Sequence, residues 1–287
     1  MSGRELPGVL FERGPRGVVL PLLFDSPHSG SVYPDDFDHV PPRARMRQSE
    51  DSFIDELYEA APEHGATLIG ALFPRIYVDP NRSVLDIDPT LLEEDWPDES
   101  DPGPKCDLGV GLVWRLCPPG GPIYDRKLTV AEVRRRIDQY HRPYHDAVSS
   151  ALGRLHGRFG AVWHINCHSM PSVSTVMAAE GPGLRRPEIT LGDIDGTTCS
   201  AEFTELVYET LSDFDYDVTV NDPYKGGELV SAWSDPAAGR HSLQIEINRA
   251  LYMDEVGLKR NSGFKALQEN VTQLIGVIAN FVRDRTA

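Results

Sequence analysis

The chain has 287 residues, of which 40% are hydrophobic and 25% charged, and 44 acidic against 28 basic residues give a formal net charge of −16 at pH 7. These values are typical of a globular protein, and the length allows one large domain or two small ones. A charge this negative disfavours binding to nucleic acid or to anionic lipid, because both would repel the chain.

The sequence indicates a cytoplasmic protein. No stretch approaches the roughly 20 apolar residues that a membrane-spanning helix needs. Charged residues such as Arg4 and Glu5 precede any apolar run, which is unlike a signal peptide. The four cysteines form no C-x-x-C pair and are too few to crosslink a chain of this length, so we expect them to be reduced.

The first half of the chain predicts short strands, one helix and a surface loop. In chain order these are a strand at 18–24, a helix at 51–61, strands at 66–73 and 76–78, and an acidic loop rich in Pro and Gly at 91–111. His28 comes just after the first strand, and Asn81 and Arg82 follow the third.

In the second half, Thr129 and Glu132 fit a capping box that opens a helix to about His156, with a kink at Pro143. The later elements are a strand at 161–165 that ends at 166–170, a helix at 200–211, a strand at 217–220, a tight turn at 226–227, an alternating strand at 242–247 and a helix at 259–285. This order predicts one α/β domain over residues 1–287, with a mixed, largely parallel sheet flanked by helices on both faces.

Polar side chains fall at the predicted strand ends or in the loops beside them, where open α/β sheets bind ligands. They are His28, Asn81, Arg82, His168 and Glu246. Two imidazoles and a carboxylate, with water in the fourth position, are a common catalytic zinc set. A single histidine is more often an ordinary hydrogen-bonded residue, so the combination carries the prediction of a metal site.

An ordered set of motifs covers most of the chain. The motifs are FDSPHSG at 24–30 with YP at 33–34, Asp51 with DELY at 55–58, DPNR at 79–82, YDRKL at 124–128, CHSM at 167–170, PYKGG at 223–227 and QIEINR at 244–249. In these motifs the chain resembles the N-formylglutamate amidohydrolases, zinc-dependent hydrolases related in fold to zinc carboxypeptidases and aspartoacylase. The resemblance implies a fold of that type.

The resemblance also implies that His28, His168 and a carboxylate near position 51 hold the zinc ion. Related carboxypeptidases take their first two ligands from a His-x-x-Glu motif, which this chain lacks after His28. Asp51 is our predicted acid. Glu50 and Asp55 remain alternatives, because an acidic helix start would explain at least two of the three.

Glu246 takes the part of the catalytic glutamate in this resemblance. Asn81 and Arg82 resemble the pair with which the related enzymes hold a substrate carboxylate, and a guanidinium can bind a carboxylate through two hydrogen bonds. Arg82 would orient the substrate. Arg126 and Arg249 are further candidates for binding substrate anions, with ordinary ion pairing as the alternative for each.

The implied reaction is zinc-dependent hydrolysis of N-formyl-L-glutamate, a small anionic substrate, to glutamate and formate in histidine degradation. The alternatives are a hydrolase of other N-acyl amino acids, a carboxypeptidase-like enzyme, and a metal- or anion-binding protein without turnover on the same fold. Thiol catalysis is disfavoured because Cys167 and His168, as neighbours on a strand, point to opposite faces. A serine hydrolase is disfavoured because no G-x-S-x-G motif is present.

Overall fold

The computed structural model describes residues 3–286, and its strands form one large sheet and two short ribbons. The strands are β1 (Arg4–Leu6), β2 (Leu10–Arg13), β3 (Leu22–Ser26), β4 (Thr67–Ala71), β5 (Leu116–Cys117), β6 (Gly121–Pro122), β7 (Val162–Met170), β8 (Ile189–Gly192), β9 (Val218–Val220), β10 (Arg240–Asn248), β11 (Met253–Asp254) and β12 (Lys259–Arg260).

Eight strands form the large sheet in the order β1-β2-β4-β3-β7-β10-β8-β9. Four of its seven pairings are parallel, namely β4–β3, β3–β7, β7–β10 and β8–β9. The adjacent strands β3, β7 and β10 run parallel, and they therefore end at the same edge of the sheet. The predicted mixed, largely parallel sheet is confirmed.

Helices cover both faces of this sheet. They are α1 (Arg43–Met46), α2 (Ile54–Leu57), α3 (Pro104–Asp107), α4 (Val130–Arg136), α5 (Arg142–Phe159), α6 (Ala201–Asp213), α7 (Glu228–Trp233) and α8 (Phe264–Thr286). One apolar core holds side chains of α2, α6 and α8 against the sheet, and a second holds those of α4, α5 and α7. The predicted α/β architecture is confirmed.

Alternation along the central strands directs side chains into both layers. Leu22 and Phe24 of β3 lie in the core on the α8 side, whereas Leu23 between them lies in the core on the α5 side. On β10, Leu243 and Ile245 likewise enter the α8 core. The residues between such core positions on β7 and β10 are thereby left to face the layer that contains the candidate site.

Three predicted elements are wrong. The run 76–78 is buried but forms a turn closed by a hydrogen bond from Tyr77 N–H to Pro74 C=O. The helix at 51–61 is reduced to α2 and a 3₁₀ turn at Ala61–His64, and the left-handed φ of 70° at Phe53 prevents α2 from beginning earlier than Ile54. Residues 226–227 do not form a tight turn: Gly226 has a φ of 129°, and Gly227 is extended just before α7.

Other boundaries move. β3 begins at Leu22 rather than at 18, and α8 begins at Phe264 rather than at 259. β7 continues to Met170, so the residues predicted to follow it lie on the strand itself. The capping box at Thr129 and Glu132 is confirmed.

The predicted kink near Pro143 corresponds to a π-helical segment, Ile137–His141, between α4 and α5. Proline cannot donate a backbone hydrogen bond to the preceding turn, and a wider turn accommodates it. His141, the last residue of this segment, has its Nε2 3.0 Å from the carbonyl oxygen of Arg82. His145 of α5 has its Nε2 2.8 Å from the carbonyl oxygen of Pro80. These contacts fix the 79–82 loop.

All four cysteines are buried, and none forms a disulfide in the described part of the chain. Within residues 3–286, no helix has both the length and the apolar character needed to cross a membrane.

Candidate active site

The candidate site lies at the edge of the sheet where β3, β7 and β10 end. His28 follows the last residue of β3 by two positions, as predicted. His168 of β7 and Glu246 of β10 are partners in the parallel register, and so are Asn166 and Gln244. Because all four occupy alternate positions, they share one face of the sheet. Cys167, between two of them, points into the opposite core, as predicted.

His28, Asp51 and His168 form a buried cluster in which one ligand atom from each lies within 4.8 Å of the others. His168 Nδ1 is 3.1 Å and His28 Nδ1 is 3.5 Å from Asp51 Oδ2. Two imidazoles and one carboxylate are a donor set for a divalent metal ion. The structure thus brings together the three residues predicted as metal ligands.

The second nitrogen of each imidazole is held by an acceptor. His28 Nε2 lies 2.7 Å from Asp79 Oδ1, so its N–H donates a hydrogen bond there. His168 Nε2 lies 2.6 Å from Asn166 Oδ1 and 3.1 Å from Asn81 Nδ2, and the shorter contact assigns its N–H as a donor to Asn166. Burial disfavours the charge on Asp79, but Arg75, His28 and Arg82 hold its pKa well below the usual value, so it remains an acceptor. Both Nδ1 atoms are left with lone pairs, and this is how metal-binding histidines are oriented.

These lone pairs provide a test of whether a metal ion fits the cluster. His28 Nδ1 is fully buried and has no hydrogen-bond partner among the described residues. It faces a carboxylate oxygen of Asp51, and His168 Nδ1 faces the same atom. Converging acceptors repel one another in a buried setting unless a cation lies between them. The residues therefore fit a bound metal ion.

A backbone hydrogen bond holds Asp51 beside His28. Asp51 N–H donates to the carbonyl oxygen of His28 at 3.0 Å. A glycine is needed at position 30, where a Cβ would lie 2.2 Å from the carbonyl oxygen of Phe73. On its other side, Asp51 Oδ1 accepts from Arg249 Nη2 at 2.8 Å and Asp51 Oδ2 accepts from Ser169 N–H at 3.2 Å.

The alternative acids point elsewhere. Glu50 accepts hydrogen bonds from the Tyr33 hydroxyl at 2.9 Å and from Arg47 Nε at 3.0 Å. Asp55 lies at the start of α2, where its backbone N–H donates to Ser29 Oγ. Neither joins the cluster, so Asp51 alone of the three predicted candidates lies beside both histidines.

Glu246 faces the cavity above the cluster. Its Oε1 accepts from Gln244 Nε2 at 3.0 Å, and burial raises the pKa of its carboxyl group above the usual value. The neighbouring His168 opposes this rise and Asp51 adds to it. A buried glutamate with so little pairing is costly to the fold, which is typical of a group kept for chemistry.

The cavity has a volume of about 640 Å³ and a cationic lining, although the chain as a whole is strongly acidic. Among residues 3–286, six lysine and arginine side chains and three glutamates line it. The cations are Arg75, Arg82, Lys105, Arg186, Lys225 and Arg249. Charge of this sign concentrates anions in the cavity.

Asn81 and Arg82 both line the cavity, and the protein holds both in place. Asn81 Oδ1 accepts from the backbone N–H of Leu229 at 3.0 Å, and Arg82 donates through Nε to the Val110 carbonyl oxygen at 3.1 Å. Gly227 makes room for this arrangement, because a Cβ there would lie 2.4 Å from the Asn81 amide. This close approach explains the glycine pair that we interpreted as a turn.

Of the two further arginines, the structure places one at the cavity and one outside it. Arg249 lines the cavity, but its guanidinium donates hydrogen bonds to Asp51, to Ser169 Oγ and to the Gln48 carbonyl oxygen. Arg126 is not part of the lining and pairs on the surface with Glu132. The structure therefore does not bring Arg126 to the cavity, and its pairing with Glu132 of the α4 capping box is the ion pair that the sequence left open as the alternative.

The chain is similar in sequence to proteins of one known family. The sequence pattern of the N-formylglutamate amidohydrolase family matches residues 20–253. The chain belongs to this family. The N-formylglutamate deformylase of Pseudomonas putida is 28% identical over 244 residues, covering 82% of this chain and 83% of the relative. That of Pseudomonas aeruginosa is 27% identical over 245 residues, with 84% of each chain covered.

Solved structures agree. The crystal structure of N-formylglutamate amidohydrolase from Ralstonia eutropha JMP134 superposes with a TM-score of 0.93 and 48% identity, covering 96% of this chain and 99% of that one. A gene product of Agrobacterium tumefaciens has a TM-score of 0.62 at 19% identity, with 95% and 96% of the two chains covered, which shows a likeness in fold.

Sequence reasoning about this family member missed several residues at the site. Asp79 and Asn166 orient the two histidines, and Arg75, Lys105 and Arg186 line the cavity. Asp79 belongs to the quoted DPNR motif, and Asn166 lies two positions before His168, so alternation on β7 would have found it. The sequence gives no comparable signal for the three lining cations, because they reach the cavity from separate loops.

A buried polar network lies beneath the cluster. His164 contacts Ser242 Oγ at 2.9 Å and Asp25 Oδ1 at 2.8 Å, an arrangement that resembles a Ser-His-Asp triad. None of the three residues lines the cavity. Asp25 Oδ1 instead accepts from Asn166 Nδ2 at 2.8 Å, which turns the Asn166 carbonyl oxygen toward His168. The network therefore supports the cluster rather than acting as a nucleophile.

Proposed function

We propose that this family member is a zinc-dependent amidohydrolase that converts N-formyl-L-glutamate and water to L-glutamate and formate. The observation that carries the proposal is the buried His28–Asp51–His168 cluster, which lies with Glu246 at the end of a cationic cavity. Similarity to deformylases and an amidohydrolase of that substrate supports it.

His28 and His168, through their Nδ1 atoms, and Asp51, through its carboxylate, would hold the metal ion. Two histidines and one carboxylate match a common catalytic zinc set, so zinc is the metal that we propose. When bound, the metal would polarise the formyl oxygen and lower the pKa of a coordinated water. Asp79 and Asn166 keep the two imidazoles oriented for this role.

Glu246 acts as the general base and then as the general acid. Its carboxylate takes a proton from the attacking water as the new C–O bond forms at the formyl carbon. The same proton then passes to the amide nitrogen as the C–N bond breaks, so that formate and the free amino acid leave. Burial suits Glu246 to both steps, because its raised pKa favours holding the proton between them.

Two polar residues of the lining bind the substrate. Arg82 and Asn81 lie next to the cluster and are suited to holding the carboxylate nearest the scissile amide. Arg249 contributes by fixing Asp51. With N-formylglutamate as substrate, the products are those of the histidine-degradation step that the family resemblance implies, and we include that role in the proposal.

A substrate panel on protein of known metal content tests the proposal. The panel compares N-formyl-L-glutamate, N-formyl-L-aspartate, N-acetyl-L-aspartate and small peptides. We expect the highest kcat/KM with N-formyl-L-glutamate and about one zinc per chain. Faster turnover of another compound would change the substrate, and bound zinc without any turnover would indicate a binding protein.

A further inference from the structure

Five of the six cations that line the cavity are already engaged by the protein. Each has a carboxylate within 4.0 Å: Arg75 and Arg82 at Asp79, Arg186 at Glu180, Lys225 at Asp195, and Arg249 at Asp51. Within residues 3–286, Lys105 is the lining cation that forms neither an ion pair nor a side-chain hydrogen bond. A partly buried ammonium without a partner is costly, and an anion in the cavity would remove that cost.

Lys105 lies on α3, within the long acidic loop. The charges that act on it come from Arg82 and Arg75, and then from Glu180 and Glu246. Burial and the two arginines lower its pKa to about 8. An ammonium placed beside two guanidinium groups is arranged for a ligand that carries more than one negative charge.

Two of the lining cations lie beside the metal cluster. Arg75 is 3.8 Å from Asp51, and Arg82 is 4.0 Å from Asp79, the partner of His28. Lys105 lines the same cavity and forms no ion pair or side-chain hydrogen bond with the cluster in the described part of the chain. In an N-acyl amino acid, the α-carboxylate is attached one carbon from the amide nitrogen, so it must stay close to the cluster. A side-chain carboxylate reaches several bonds further.

We propose that Lys105 determines substrate specificity by pairing with the side-chain carboxylate of the N-formyl amino acid. This inference rests on the proposed function, which it deepens by stating why a dicarboxylate is preferred. Arg82 and Asn81 hold the α-carboxylate, and Lys105 holds the second one. A substrate with a neutral side chain leaves the ammonium unpaired.

The test compares N-formyl-L-glutamate with N-formyl-L-glutamine, which differs by replacing the side-chain carboxylate with an amide. The variants are Lys105→Met and, as a matched control, Lys225→Met, since Lys225 also lines the cavity but pairs with Asp195 at its exposed rim. We expect Lys105→Met to lower kcat/KM for the glutamate substrate by about 10- to 100-fold, and that for the glutamine substrate little. The control should keep the wild-type preference, and so should Lys105→Arg.

The outcomes separate this inference from the function on which it rests. If the zinc-loaded wild type hydrolyses neither compound, the proposed function fails, and this inference fails with it. If the wild type prefers N-formyl-L-glutamate and Lys105→Met keeps that preference, the function stands and the inference is wrong. An equal loss with Lys225→Met would also overturn it, since the effect would then be one of overall charge.

The pH dependence of the preference gives a second measurement. Lys105 is charged below a pH of about 8 and neutral above it. The ratio of the two kcat/KM values should therefore fall as the pH rises through 8 in the wild type, and it should stay level in Lys105→Arg. Arg75, Arg82, Glu180 and Glu246 are the charged groups that act on Lys105, and all four are present in both proteins, so a change confined to the wild type reports Lys105. A level ratio in the wild type would contradict the inference.

Discussion

Three acceptor atoms at the end of the cavity make the case for a metal ion: Nδ1 of His28, Nδ1 of His168 and Oδ2 of Asp51. Each imidazole has committed its only N–H to an acceptor on the far side of the ring. His28 Nδ1 is buried without a hydrogen-bond partner among the described residues, and His168 Nδ1 lies 3.1 Å from Asp51 Oδ2. Which acid near position 51 joins the two histidines depends on the direction of its side chain, and the sequence does not give that direction.

Asp51→Asn tests that direction. The amide keeps the size of the side chain but loses the charge that a divalent ion requires, so we expect bound metal to fall at least about tenfold. Glu50→Gln is the matched control, because Glu50 is adjacent in sequence and bonded to Tyr33 and Arg47 instead. Metal analysis of the folded variants provides the measurement. The opposite order of loss would move the ligand to Glu50.

Glu246→Gln tests the proton-transfer role. Glutamine keeps the shape and the contact with Gln244 but cannot take a proton from water, so kcat should fall by about 10² to 10⁴. Zinc content and melting temperature should change little. Glu255→Gln, at another glutamate of the lining, is the control and should retain turnover. Near-normal kcat in folded, zinc-loaded Glu246→Gln protein would refute the mechanism.

At the scale of elements, alternation on the strands was the most informative signal. The sequence predicts that Leu243, Ile245 and Ile247 share one face of β10 and that Gln244 and Glu246 share the other, and this is confirmed. The prediction succeeds because a buried strand between two layers has a strict period of two.

Segments whose conformation depends on distant contacts were predicted less well. The turn at 76–78 has the apolar composition of a strand, but two prolines bracket it, and His141 and His145 hold the loop that follows. The region after Asp51 has a helical pattern, yet Phe53 adopts a left-handed conformation. In both places tertiary packing overrides local propensity.

The two faces of β7 provide a matched test of metal support. Asn166→Ala removes the acceptor of His168 Nε2–H, so metal affinity should fall about 10- to 100-fold. Cys167→Ala, one residue along, leaves a small void in the opposite core and should lower the melting temperature without changing metal affinity. Metal titration and thermal unfolding of both variants separate these effects. Equal affinities would show that Asn166 does not orient the imidazole.

For the whole molecule, the fold and the central cluster were within reach of the sequence, whereas the cavity wall was not. His28, His168 and Glu246 follow from strands and motifs, and their meeting point follows from the parallel order of β3, β7 and β10. Lys105 and Arg186 reach the cavity from separate loops, and for the same reason the sequence could not show that Arg126 lies outside its lining. Long-range loop packing leaves no periodic trace in a sequence.

We expect the fold to form without the metal ion, and the metal ion to add to the stability of the fold. Two extensive apolar cores hold the sheet without any contribution from the cluster, and Asp51 has a permanent partner in Arg249. We therefore expect the chain to remain folded when a chelator removes the metal, unlike a small zinc domain. Because the metal binds the folded state, it should add about 2.7 kcal/mol to the free energy of unfolding when its free concentration is 100 times its Kd.

Thermal unfolding of zinc-loaded and chelated protein measures this increment, with far-UV circular dichroism at 25 °C to show whether the chelated chain stays folded. Asp51→Asn is the control, and the chelator should leave its melting temperature unchanged, since it has little metal to lose. Loss of secondary structure on chelation would mean that the cluster organises the fold. An unchanged melting temperature in wild-type protein that has demonstrably released its zinc would mean that the ion binds elsewhere, because only a site formed on folding links metal to stability.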